Sequence, residues 1–210
     1  DIEYGFKGLG EVWRICGVSH KPFPSGRATH GVIDGLLTLR ERHNIEVSDV
    51  AYVRAQVPPL VHQLTGRPMI DKPSVNYARL CIPYVGAVAL QRGAVGIADF
   101  KPNRLREKCT AELASRITVE VRDVGDPNAL VPQRIEIQTV DGANHAIEMA
   151  DVIGSPVKPL SRDVHLVKFR QNWQNGATSL PVEDGEQLIN LIDQLEELND
   201  CREITKLLVP

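Results

Sequence analysis

Aromatic side chains are scarce in this chain: Phe, Trp and Tyr together make up 5% of it. That argues against a surface that stacks nucleobases, which needs aromatic platforms. No block of like charge is present and the formal net charge is -3. Neither nucleic acid nor a membrane surface is therefore an expected partner. No uninterrupted apolar run approaches the ~20 residues of a membrane helix, and no signal peptide is visible. The four cysteines, Cys16, Cys81, Cys109 and Cys201, form no C-x-x-C pair, so a zinc site is not expected. Cys81, Cys109 and Cys201 fall in helical patterns and read as small core or half-buried residues. A reducing, cytoplasmic setting is expected. An initiator Met is also missing, and Gly5, Gly8, Gly10 and Gly17 dilute any regular pattern over 1–20. This opening reads as a chain entered mid-protein, with a short strand over Val12, Trp13, Ile15 and Val18.

What is present fits a globular protein: 210 residues, 42% hydrophobic and 24% charged, enough for one large domain or a domain with an appendage. Lys21 to His30 organises the rest. It reads Lys-Pro-Phe-Pro-Ser-Gly-Arg-Ala-Thr-His. Pro22 and Pro24 fix φ and disfavour helix before them, Gly26 permits a sharp turn, and Thr29 is a candidate N-cap. An apolar helical pattern follows at once with Val32, Ile33, Leu36 and Leu37. A rigid loop thus delivers Lys21, Arg27 and His30 to a helix N-terminus, which attracts anions. Two readings fit: a corner that binds carboxylate or phosphate, or an ordinary Pro-rich loop with solvated charges.

Beyond that loop, the periodicity predicts a helix over 30–43, stopped at Asn44. Alternation over Val50 to Val57 predicts a half-buried strand with Val53, Ala55 and Val57 inward. His62 falls in a short turn and reads as structural. Asn76 to Arg92 reads as a buried helix in which Pro83 starts a new segment or imposes a kink. There Gly86, Ala87 and Ala89 allow close approach of another backbone. Tyr84 is either a core residue with one hydrogen bond or a site-lining hydroxyl. Pro102 suits the first position of a helix with Leu105, Cys109 and Leu113 on one stripe. A strand over 117–121 precedes a hairpin over 134–140 and 143–150, signalled by Asp141-Gly142. After Gly154, Pro156 and Pro159 the chain reads as helical. Ser161 caps one helix, Glu183 to Leu198 forms an amphipathic second with Leu188, Ile192 and Leu195 inward, and Asp200 with Glu203 resembles a capping box for a third that ends at Leu208. The expected class is α+β: an opening segment over 1–20, a small mixed α/β domain with an antiparallel hairpin over 21–158, and C-terminal helices over 159–210.

The Lys21 run, continued through Gly31-Val32-Ile33-Asp34, resembles the MmgE/PrpD family. That family includes 2-methylcitrate dehydratases, cis-aconitate decarboxylases and an iminodisuccinate epimerase. Ile82 to Leu90 is similar to the family's Leu-Pro-Tyr helix, Asp141-Gly142 to its hairpin turn, and Pro159-Leu160-Ser161 with Lys168-Phe169-Arg170 to its return to helix. The resemblance implies a large helical domain before this portion, rejoined by the final helices, with the active site in the cleft between the domains and part of its catalytic set in that first domain. It implies that Lys21 is an active-site lysine that pairs with a substrate carboxylate, with Arg27 and His30 as supporting contacts. Gly26, Met69 and Tyr84 are possible lining residues. It further implies that the decarboxylase branch places a histidine where Gly26 stands and a tyrosine where Met69 stands, which lowers the odds of decarboxylation here. The expected chemistry is metal-free and cofactor-free proton abstraction next to a carboxylate of a small polycarboxylate, leading to dehydration or epimerisation in a homodimer. An inactive binding or assembly module derived from such an enzyme is the competing expectation.

Overall fold

The computed structural model describes residues 2–209. In chain order the elements are α1 (Ile2–Phe6), α2 (His30–His43), β1 (Val50–Val57), α3 (Pro59–Thr65), α4 (Val75–Arg79), α5 (Ile82–Arg92), α6 (Lys108–Ala114), β2 (Ile117–Val121), β3 (Gln133–Thr139), β4 (Asn144–Met149), α7 (Arg162–Gln174), α8 (Val182–Asp193) and α9 (Arg202–Lys206). Short 3-10 turns connect several of them. The fold is α+β, with a mixed sheet in the order β2-β1-β3-β4. β1 runs parallel to β2 and antiparallel to β3, and β3 pairs antiparallel with β4.

One face of the sheet carries the core. Val53, Ala55 and Val57 of β1 and Ile135 and Ile137 of β3 are fully buried there, as period-2 alternation requires. The other face is wet: Arg54 sits between Glu120 and Glu136 of the two neighbouring strands, at 3.5 and 3.7 Å. α2 lies directly against β3 because its facing positions have no side chains. A Cβ on Gly31 would fall 2.5 Å from Gln133 Oε1, and one on Gly35 would fall 2.8 Å from Ile135 Cδ1. α5 packs on α2 and the sheet in the same manner, with Gly86 opposite Leu36 and Ile117. Asn44 ends α2 in the left-handed region at φ 50°.

Several boundaries differ from the sequence reading. Arg14–Gly17 is an exposed 3-10 turn, not a strand: it pairs with no strand among the described residues, and Trp13 and Ile15 stay exposed. Over 76–92, by contrast, Pro83 starts a new segment as one of the two expected alternatives had it: Cys81 is extended and bridges Gly66, and Pro83 sits in the first turn of α5. Pro102 does not open α6. A 3-10 turn over Arg104–Arg106 intervenes, so Leu105 and Leu113 are buried while Cys109 is exposed. Glu107, the residue before α6, is clamped by Arg92 and Arg104 at 2.5 and 2.6 Å. The hairpin loop spans 140–143, two residues longer than expected, and Thr139 N donates across it to the Ala143 carbonyl.

The C-terminal helices are less enclosed. α7 buries no residue; α8 buries Gly185 and Leu188. α8 crosses α7 where a Cβ on Gly185 would meet the Trp173 ring at 3.1 Å. α8 stops at Asp193, earlier than periodicity suggested, and Ile192 and Leu195 are 50% and 45% exposed rather than inward. The expected capping box does not form. Asp200 instead accepts from the Arg202 backbone N–H and guanidinium, and α9 ends at Lys206. Of the three cysteines expected in helical patterns, Cys81 alone is buried, and burial lifts its thiol to about 11.

Candidate functional site

The Lys21 loop is held at both ends by backbone contacts. His20 N donates to the Gly154 carbonyl at 2.7 Å. Gly154 has φ 84°, and a Cβ there would fall 2.0 Å from the His20 carbonyl oxygen; only glycine admits that approach. At the other end Gly26 N donates to the Arg79 carbonyl at 2.9 Å, which ties the loop to the last turn of α4. Inside the loop Ser25 Oγ lies 2.9 Å from Thr29 Oγ1, and Thr29 Oγ1 donates to the Gly26 carbonyl at 2.8 Å. Thr29 precedes α2 but makes no side-chain cap. A 3-10 turn over Arg27–Thr29 runs into α2 instead and turns the chain toward the core.

Above this loop opens a cavity of about 600 Å³ lined by Lys21, Ser25, Gly26, Asn76, Arg79 and Ile97, among others. A smaller one of about 230 Å³ adjoins it. The two share Lys21, Pro24 and Ile97, and α7 closes the second with Lys168, Gln171 and Asn172. The rim is cationic: among the described residues, neither Lys21 nor Arg79 has a carboxylate within ion-pair distance. Such an arrangement attracts an anion of small-molecule size.

The sequence-derived candidates separate on this geometry. Lys21 and Gly26 come together on the cavity. Arg27 is exposed but does not line it. His30 is buried at 1% exposure beneath the loop. Its Nε2 donates to the Ser25 carbonyl at 3.4 Å, and Phe23 packs edge-on against its ring. Burial, with smaller contributions from the Lys21 and Arg27 charges, lowers the imidazole to about 4. His30 is thus a neutral strut of the loop and not a group that a ligand reaches from the cavity. Tyr84 is also buried, its hydroxyl donating to the Asp99 carbonyl, so it is a core residue with one hydrogen bond. Met69 is half-buried between the two hydrophobic clusters and does not line the cavity.

Sequence reasoning missed Arg79. Read as part of one long helix, it carries no special mark. The break at Leu80 and Cys81 turns it toward the Lys21 loop. The available signal was a lone cation between Ala78 and Leu80 in an otherwise apolar pattern. Among the described residues, no group of three or more His, Cys, Asp or Glu could hold a metal ion, and no helix is long and apolar enough to cross a membrane.

Comparison with known proteins points to a family. The chain is 27% identical over 198 residues to a cis-aconitate decarboxylase from Mus musculus, covering 91% of this chain and 39% of that protein. It is 27% identical over 197 residues to the cis-aconitate decarboxylase from Homo sapiens, covering 91% and 40%. The chain therefore spans about two-fifths of the length of these lyases. Residues 23–197 match the MmgE/PrpD C-terminal domain, a match that begins two residues after Lys21. The chain belongs to the MmgE/PrpD family, of which it carries the C-terminal domain.

Proposed function

We propose that this chain is the C-terminal portion of a lyase or isomerase that acts on a small di- or tricarboxylate, with dehydration of a 2-methylcitrate-like substrate as the leading reaction. The observation that carries the reading is the cationic cavity, where Lys21 on a pinned loop and Arg79 of α4 stand without carboxylate partners among the described residues. Abstraction of a proton next to a carboxylate builds negative charge on that carboxylate. A cation held in place by the fold stabilises this charge without reorganising. Loss of a β-hydroxyl as water then forms the alkene. None of the cavity-lining residues is an Asp, Glu or His; with Lys21 assigned to the carboxylate, the general base is proposed to come from elsewhere in the protein. The helical domain that the family resemblance implies is its proposed source.

Decarboxylation of cis-aconitate is the second reading, favoured by the two relatives. A side chain at Gly26 would displace the end of Leu80. A Cβ there would fall 2.5 Å from Leu80 Cδ2, so the histidine expected in the decarboxylase branch fits only if Leu80 moves.

The test is incubation of the full-length protein with 2-methylcitrate, citrate, cis-aconitate and iminodisuccinate, followed by proton NMR in heavy water. An alkene proton growing in from 2-methylcitrate supports dehydration. Carbon dioxide released from cis-aconitate, with 2-methylcitrate untouched, supports the second reading. No exchange and no product from any of the four overturns both and favours an inactive module. Lys21→Ala is expected to lower kcat/KM roughly 10- to 100-fold, as loss of a charge-assisted contact would.

A further inference from the structure

Arg79 and Arg40 each have a buried Nε without a hydrogen-bond partner among the described residues, and of the two Arg79 lines the cavity with Lys21. Its neighbour Arg92 is fully engaged, bridging Asp99 and Glu107 at 2.6 and 2.5 Å. Among the described residues Arg79 has no such partner. Its Nε is buried and, among the described residues, makes no hydrogen bond. Its guanidinium lies over the Phe100 ring at 5.4 Å, which fixes the plane of the fork from below. Its backbone carbonyl receives Gly26 N, so main chain and loop are locked together at the same residue. The side chain lines the same cavity as Lys21. An unpaired buried guanidinium N–H is disfavoured unless something accepts from it. The Nε itself is closed off from the cavity; the Nη groups, which make no hydrogen bond among the described residues, are the donors from which a ligand oxygen in the cavity would accept. A planar fork with parallel N–H groups suits a carboxylate better than a point charge does.

We infer that Arg79 is a substrate-binding residue that grips a carboxylate other than the one held by Lys21, and that it thereby selects polycarboxylates over monocarboxylates. The inference rests on the reading of the Lys21 cavity as a carboxylate site. Stacking on Phe100 holds Arg79 before ligand arrives, so little side-chain freedom is lost on binding.

The test uses the full-length protein with two non-reacting probes, tricarballylate and butyrate, titrated by NMR against wild type, R79M, R79K and K21M. Methionine keeps the unbranched stem over Phe100 and removes the charge; thermal unfolding of each variant checks that the fold survives. R79M is expected to weaken tricarballylate binding at least about tenfold and to leave butyrate within about twofold, with R79K intermediate. K21M is expected to weaken both probes. If K21M weakens tricarballylate and R79M does not, Arg79 is not a substrate contact, while the carboxylate cavity stands. If R79M weakens both probes equally, Arg79 acts through the loop and the selectivity claim fails. If wild type binds neither probe, the carboxylate reading of the cavity itself is overturned.

Discussion

α5 and α7 are helices of similar length, 11 and 13 residues, with opposite surroundings. Every residue of α5 from Ile82 to Leu90 is buried, against α2, α6 and the sheet. α7 buries none and packs chiefly on α8. Both are cleanly started, α5 by Pro83 in its first turn and α7 by the Ser161 hydroxyl accepting from Val164 N. Local signals thus form a helix in either setting, and the neighbours decide how much stability it contributes. The cavity lies where the two regimes meet. The Lys21 loop and Arg79 belong to the buried body, whereas Lys168, Gln171 and Asn172 reach in from the exposed helix. Rigid placement of charge comes from the body, and α7 supplies a wall.

The sharpest way to break this contrast is a pair of truncations. Leu36→Ala, in the fully buried face of α2, is expected to cost about 3 kcal/mol. Val167→Ala, at 53% exposure on α7, is expected to change stability by less than about 0.5 kcal/mol. Urea denaturation of both measures it, and equal costs would mean that α7 is as integral as α2.

Acid should reveal the body in the same way. His30 has its imidazole lowered from 6.5 to about 4 by burial. Between those values the unfolded chain takes up a proton that the folded chain refuses, so stability falls as pH falls. The loss begins near pH 6.5 and reaches about 3 kcal/mol by pH 4. His30→Gln is expected to flatten the pH dependence of urea unfolding over that window, and Val167→Ala to leave it unchanged. A His30→Gln profile as steep as wild type would show that another group carries the slope.

The smallest effect concerns the exposed helices. Leu166, Phe169, Leu188, Ile189, Ile192 and Leu208 line an apolar groove of about 440 Å³ among α7, α8 and α9. The helical domain that the family resemblance implies is its proposed cover, and in its absence the groove is open to a second copy of the chain. Light scattering is expected to show self-association that weakens in Ile192→Asp. A clean monomer at high concentration would leave a second copy out of account.

Much of this protein was legible in its sequence because the relevant signals are local. Alternation in Val50 to Val57 set the inward face of β1, the prolines shaped the Lys21 loop, and the apolar period of 30–43 marked α2 before any contact was known. The ordered motifs from Lys21 to Arg170 were enough to place the chain in its family. Only the tertiary structure decided which of the loop's charged residues face the cavity. His30 and Lys21 are nine positions apart in one short segment, yet the turn into α2 drives the first under the loop and leaves the second at the opening. Arg79 was silent in sequence because its role depends on a helix break and on a loop more than fifty residues away. Periodicity reports which face of an element is apolar; it carries no record of which distant side chains will share a cavity, since that follows from packing among elements.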